Sequence, residues 1–325
     1  MRHLAGSRGK IMSDTPRPVD RPFWTPGVLV ILAVMLAGGI ALMARFIGGL
    51  GSATNLDNGT PWGLWIGVDV ASGVALAAGG FTTAFLAHIL GRHFYEPIVR
   101  PALLTAALGY TFVAFGVFVD IGRYWGIWKP IFYQNHTSAL FEVAMCVMTY
   151  LAVLWIEFIP VIAQRLKHRI KLLDFFDRGL DKTIWFFTIL GVVLSCMHQS
   201  SLGTLMVIAP TKVHELWYTP LLPLLFLTSA VSVGYPMVIF ETTVATKSLR
   251  LDPEMKILEP LSRFVIFTLG LYLALRIGDL LYRGALVHVF DGSAQSWFFL
   301  VEIVLGGIVP WYMLLSTLIS RSRRG

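Results

Sequence analysis

Residues 27–48 read GVLVILAVMLAGGIALMARFIG, an apolar run with a single charge, Arg45. At ~1.5 Å rise per residue, such a run forms a helix long enough to cross the ~30 Å hydrocarbon core of a bilayer. A strand reading fails, because polar and apolar residues do not alternate. Seven further runs of the same kind follow, at roughly 64–90, 101–121, 138–163, 183–209, 219–245, 262–282 and 296–320. The sequence therefore predicts an all-α integral membrane protein with eight spans. Residues 1–26 form an N-terminal tail, 27–320 the polytopic domain and 321–325 a short C-terminal tail. Of the 325 residues, 56% are hydrophobic and 14% charged. Soluble proteins carry ~25% charged residues, so this composition excludes a soluble enzyme, and it is too apolar for disorder. Pro61, Pro101, Pro210 and Pro260 are expected at span edges, and Pro160, Pro236 and Pro310 at kinks.

The net charge is +7, from 26 Lys+Arg against 19 Asp+Glu. The cations occupy short polar gaps rather than one patch, which points to membrane topology and away from nucleic acid. Taking alternate gaps, twenty Lys/Arg fall on one side of the membrane and four on the other, with Arg45 and Arg276 inside spans. The positive-inside rule then puts both termini in the cytoplasm. Residues 1–21 are polar and basic, and the first apolar run is long enough to span, so no cleavable signal peptide is evident. In the gap 164–182, Leu166, Ile170, Leu173 and Leu180 recur among basic residues, a pattern for an amphipathic helix on the membrane surface.

The two cysteines, Cys146 and Cys196, form no CxxC motif, so neither an Fe–S cluster nor a zinc framework is expected. Within spans only His88 and His198 are available as haem ligands, one near the inner face and one in the outer half. They cannot share an iron, so no haem is expected, and no metal.

A charge inside a membrane is costly and marks a functional candidate. The spans hold Arg45, Asp69, Asp120, Glu142, Glu157, His198, Glu241, Arg276, Asp279 and Glu302. The topology puts Asp69, Asp120, Arg123, Glu142, His198, Arg276, Asp279 and Glu302 at one level below the outer surface. Asp120 with Arg123, and Arg276 with Asp279, are spaced i,i+3 and could simply pair. The run His198-Gln199-Ser200-Ser201 is too polar for a span unless it faces a ligand. Trp62, Trp65, Trp125, Trp128, Trp217 and Trp297 suit an outer aromatic belt, and the small residues of 71–80 suit close helix packing. Glu142 and Glu157 are fifteen residues apart on one helix, ~22 Å in depth and ~60° in azimuth. They could relay protons or make two separate interhelical bonds.

Six motifs in order, PWGLWIGVDV (61–70), DIGRYW (120–125), SALFE (138–142), MHQSSLG (197–203), VIFE (238–241) and LRIGDLLYR (275–283), resemble the NrfD/polysulfide-reductase superfamily. Within it the chain looks most like HybB-type membrane subunits of periplasmic-facing Ni/Fe hydrogenases, from about residue 24 to 320. The resemblance implies four-helix bundles and a subunit without haem, Fe–S cluster or metal. It implies electron transfer from an external ferredoxin-like Fe–S subunit, with the hydrogenase large and small subunits behind it, to a quinone, menaquinone by expectation. Asp69, His198, Gln199 and Ser200 match the family's quinone region, and Glu142 and Glu157 its proton route. Asp120, Arg123, Arg276, Asp279 and Glu302 would support that polar cluster. HybB-type members usually have ten spans, so the second bundle is expected to lack its last helix, the chain being either truncated or a shorter variant.

The expected function is thus that of a bacterial inner-membrane subunit that reduces quinone with associated proton transfer. Three rivals remain at this level. They are a proton or ion transporter, a structural anchor, and the same fold serving a molybdenum oxidoreductase.

Overall fold

The computed structural model describes residues 23–60, 62–166, 171–249 and 255–322, with side chains 163–182 and 318–322 left aside. Eight helices among these are long and apolar enough to span a membrane. They are α1 (Pro26–Gly48), α2 (Gly67–Ile89), α3 (His93–Asp120), α4 (Ala139–Ile162), α5 (Thr183–Val207), α6 (Leu222–Leu249), α7 (Met255–Arg283) and α8 (Ala294–Thr317). Short connections make consecutive helices antiparallel. The end bearing residues 49–66, 121–138, 208–221 and 284–293 is the one expected outside, and is called the outer end below.

Helix starts follow local chemistry. The Thr25 side chain accepts from Val28 N–H at 3.3 Å with Pro26 at N1, and Ser293 accepts from Ser296 N–H at 3.1 Å. Two boundaries differ from expectation. Pro101 and Pro260 do not mark edges but lie inside helices that begin at Glu96 and Met255. Each proline is sixth in its helix, so it forfeits only a hydrogen bond near the first turn. The helix leading into α5 starts at Lys171 and runs unbroken to Val207. The second half of the expected surface helix is therefore continuous with α5. Residues 167–170 and the basic N-terminal tail lie outside the described residues.

Helices α2 to α5 form one bundle, and α6 packs against α2, α5 and α7, which continues to α8. Small residues set these approaches, as expected where apolar burial gives helices little reason to associate. A Cβ on Gly80 would meet Ala106 Cβ at 2.5 Å, one on Gly79 would meet Val238 Cγ2 at 2.8 Å, and one on Gly234 would meet Thr82 Oγ1 at 2.8 Å. Large apolar side chains such as Phe112 and Phe267 turn outwards, as a hydrocarbon solvent allows. Helix α1 stands apart along most of its length and engages the bundle at its outer end, through Arg45 and Phe46.

Candidate functional site

The four residues of the polar run of α5 turn to different helices. Successive residues on a helix turn by ~100°, and each of the four meets a different neighbour. His198 sets its ring edge-on to Tyr110 of α3, centroids 5.6 Å apart. Gln199 Nε2 donates to the Val74 carbonyl of α2 at 3.2 Å, and Ser200 Oγ to the Pro223 carbonyl of α6 at 3.4 Å. Ser201 Oγ donates to Glu142 Oε1 of α4 at 2.6 Å. The Gln199 bond has a local cause. Helix α2 breaks at Ala77–Ala78, where Ala78 N–H bonds to Ala75 rather than Val74. The amide of Gln199 donates to the Val74 carbonyl that Ala78 N–H leaves.

His198 is fully buried, and neither ring nitrogen has a hydrogen-bond partner among the described residues. The Tyr110 hydroxyl is buried beside the side chains of Ser195 and Gln199, and neither it nor the Ser195 hydroxyl makes a hydrogen bond of good geometry among the described residues. Tyr110 in turn lies edge-on to Tyr150 of α4, centroids 4.6 Å apart. Unsatisfied buried polar groups cost ~1–3 kcal/mol each, so a cluster of them calls for a role. Below it, a Cβ on Gly191 of α5 would meet Glu157 Oε2 at 3.2 Å and Tyr150 Cε2 at 3.6 Å, which brings Glu157 and Tyr150 to one spot. Both glutamates of α4 thus turn to α5, and Tyr150, Tyr110 and His198 lie between them in depth.

A second polar centre sits at the outer end. Asp120, the last residue of α3, is buried. Its Oδ1 accepts from Trp65 Nε1 at 2.9 Å, and its Oδ2 has no partner among the described residues. Asp69 lies nearby, packed on Gly116 of α3, where a Cβ would come 3.4 Å from Asp69 Oδ2. Arg45 of α1 donates to the Val119 and Ile121 carbonyls at 2.5 and 2.7 Å, closing the end of α3, and stacks on Phe46 and Tyr124.

The third group belongs to α6–α8 and their loops. Arg276 donates to the Leu216 and Trp217 carbonyls at 3.1 and 3.4 Å and lies over Phe299. Asp279 accepts from Thr219 at 2.7 Å and Arg283 at 2.9 Å. Glu302 accepts from Trp217 Nε1 at 2.6 Å. Neither i,i+3 ion pair forms. Helix α3 stops at Asp120, so Arg123 leaves the shared face and is exposed, and Asp279 takes Arg283 one turn on instead. The single polar level expected from depth thus divides, because α7 and α8 stand outside the α2–α5 bundle. Two of the belt tryptophans, Trp65 and Trp217, act as donors to membrane carboxylates.

Sequence reading missed Tyr110 and Tyr150, although both lie mid-span, away from the interfaces where tyrosine is common. It also left Arg45 and Glu241 without partners. Thr105 Oγ1 of α3 donates to Glu241 Oε1.

The family model described as polysulphide reductase, NrfD, matches residues 52–325. The chain belongs to the NrfD family. Among NrfD relatives, the "probable Ni/Fe-hydrogenase 2 b-type cytochrome subunit" of Escherichia coli (strain K12) is 35% identical over 306 residues, covering 90% of this chain and 75% of that protein. A Nitratidesulfovibrio vulgaris protein is 42% identical over 231 residues, covering 71% of this chain and 58% of the relative. The "menaquinone reductase, integral membrane subunit" of the same organism is 31% identical over 181 residues, covering 55% of this chain and 42% of the relative. The chain is therefore a multi-pass membrane homologue of a hydrogenase membrane subunit.

The words "b-type cytochrome" in the first name raise the question of a haem, which the residues can answer. His88 is exposed near the inner end of α2. His198 lies fifteen residues into α5 from its inner end, ~22 Å away in depth. The two histidines within spans therefore do not share a haem. The described residues also contain no group of three or more His, Cys, Asp or Glu that could hold a metal ion.

Proposed function

We propose that this chain is the quinone-reducing membrane subunit of a respiratory Ni/Fe hydrogenase in a bacterial inner membrane. Electrons arrive from a ferredoxin-like Fe–S subunit at the outer end and reduce a quinone of the menaquinone class. The observation that carries this reading is the 35% identity with the E. coli hydrogenase subunit across 90% of the chain. The menaquinone reductase relative supports the acceptor.

Reduction of one quinone takes two electrons from the partner and two protons, and gives the quinol. The chain's own residues bind the head group and deliver the protons. Asp69 packs on Gly116 and His198 on Tyr110, six residues apart on α3, or ~9 Å along its axis. The two contacts lie ~120° apart around α3, so in this reading the head group sits at Asp69, with the unpaired Oδ2 of Asp120 above, and His198 approaches it from the α4–α5 side. Gln199 and Ser200 are bonded to backbone carbonyls and serve the walls of the site. On the proton side, Glu157, Tyr150, Tyr110, His198, Ser201 and Glu142 form a string of ionisable and hydroxyl groups between α3, α4 and α5. Its lower end faces the cytoplasm when both termini do, which makes turnover electrogenic.

The menaquinone reductase relative, named without hydrogenase, favours one second reading, the same membrane role beside a different soluble oxidoreductase. Purifying the tagged chain from its native membranes separates the two. The proposal expects co-purifying Fe–S and hydrogenase subunits with nickel. Molybdenum in their place would overturn the hydrogenase assignment.

A further inference from the structure

The turn between α2 and α3, at the inner end, is held in one shape by its backbone. Gly91 takes φ +63°, a left-handed value that glycine adopts at no steric cost. Arg92 N–H then bonds to the Leu86 carbonyl at 3.2 Å, and Tyr95 N–H to the Arg92 carbonyl at 3.0 Å. The Tyr95 ring is buried edge-on to Phe264 of α7, centroids 6.1 Å apart, in a core shared by Leu86 of α2 and Leu261 of α7. The turn is thereby seated on the inner end of α7.

Two cations meet at this seat. Arg92 of the turn and Arg263 of α7 both stand close enough to the Tyr95 hydroxyl to act on it electrostatically, and that hydroxyl makes no hydrogen bond among the described residues. Both arginines are exposed, and neither forms an ion pair among the described residues. The acids nearest in sequence do not neutralise them. Glu96 is bonded to His93 at 2.7 Å, and Glu259, one turn before Arg263, makes no ion pair with it. The positive-inside rule accounts for cations at this end, but it lets them sit anywhere in a polar gap. Here two separate elements bring them to one phenol. Beside them Phe85, Ile89 and Phe94 turn their side chains outwards.

We propose that Arg92, Tyr95 and Arg263 form a site for the phosphate of an anionic phospholipid, with its acyl chains along Phe85, Ile89 and Phe94. Guanidinium groups present a planar fork that suits phosphate oxygens, and the phenol adds a further donor. Basic pockets between membrane helices hold anionic lipid heads in this way. A zwitterionic head would bring its own cation to two guanidinium groups, and the apolar wall beside the site favours a lipid over free phosphate. The bound head joins the α2–α3 turn to α7, and the inference is independent of the quinone reading.

The test uses the chain with its native partner subunits in phosphatidylcholine nanodiscs. The probe is phosphatidylglycerol with a diazirine on one acyl chain close to the head. After irradiation, label is expected on residues 85–94, displaced by unlabelled phosphatidylglycerol but not by inorganic phosphate or more phosphatidylcholine. A cation near an anionic head is worth about fivefold in affinity, so Arg92→Gln with Arg263→Gln should cut this label about twentyfold. Both side chains are exposed, so the double variant should assemble normally. Tyr95→Phe keeps the ring and should cut the label a few fold. Absence of label at 85–94, or label that survives in the double variant, would overturn the site. Displacement by inorganic phosphate would make it a site for free anions, and displacement by phosphatidylcholine an unselective lipid position. Either result in the native chain overturns the proposal, whatever the variants do.

Discussion

Replacing Tyr110 by Phe removes one oxygen and keeps the ring. The edge-on contacts with Tyr150 and His198, at 4.6 and 5.6 Å, survive the change. The hydroxyl is buried, with the Ser195 and Gln199 side chains beside it but no hydrogen bond of good geometry among the described residues. An unpaired buried hydroxyl costs ~1–3 kcal/mol, so its removal should leave stability unchanged or raise it by about 1 kcal/mol. If the hydroxyl carries protons between Tyr150 and His198, turnover should move the opposite way. Positioned proton transfer contributes ~10²–10⁴-fold, so a drop of at least tenfold in hydrogen-driven quinone reduction is expected. Two assays on one preparation read both effects, thermal unfolding in detergent and quinone reduction in liposomes. Hydrogen oxidation with an artificial dye should stay at the wild-type level. A variant that is clearly less stable would show that the hydroxyl is paired. One that is stable and fully active would remove Tyr110 from the proton route.

Other outcomes follow from the same geometry. Glu142→Gln and Glu157→Gln keep side-chain size but cannot release a proton. Both should lose charge movement per quinone in liposomes, with Glu142→Gln slowing turnover more, and full charge movement in Glu157→Gln would make that residue structural. Arg45→Met strips two carbonyls at the end of α3 of their donor. It should destabilise by ~2–4 kcal/mol, read as a lowered unfolding temperature; no change would mean α1 is held otherwise. The chain, freed of partner subunits, should show no stoichiometric b-type Soret band, since His88 and His198 do not meet. A reporter fused after Arg324 should be active only on the cytoplasmic side, and activity outside would reverse every depth assigned.

The eight spans were legible because each is one long apolar run, and bilayer thickness leaves little freedom in reading such runs. Helix starts at Pro101 and Pro260 were not, because a proline near a first turn costs too little to act as a boundary. Asp69, Asp120, His198, Glu142 and Glu157 stood out as candidates from the cost of placing ionisable groups inside a membrane. Their partners were not. Sequence spacing suggested Asp120 with Arg123 and Arg276 with Asp279, but helix ends and loop carbonyls decided otherwise. Depth alone merged two polar centres that azimuth separates, and only packing shows which face of α7 or α8 meets which neighbour. The break in α2 at Ala77–Ala78, which gives Gln199 its acceptor, lies in a stretch of small residues whose sequence shows close packing and nothing of the break.

The most direct test of the quinone reading uses the intact complex in menaquinone liposomes. Hydrogen-driven quinone reduction is compared with hydrogen-driven dye reduction for His198→Ala and Asp69→Asn. Loss of a hydrogen bond worth ~1–3 kcal/mol predicts a ten- to hundredfold fall in quinone reduction, with the dye rate unchanged. Normal assembly and wild-type quinone reduction in both variants would contradict the account and place the site elsewhere.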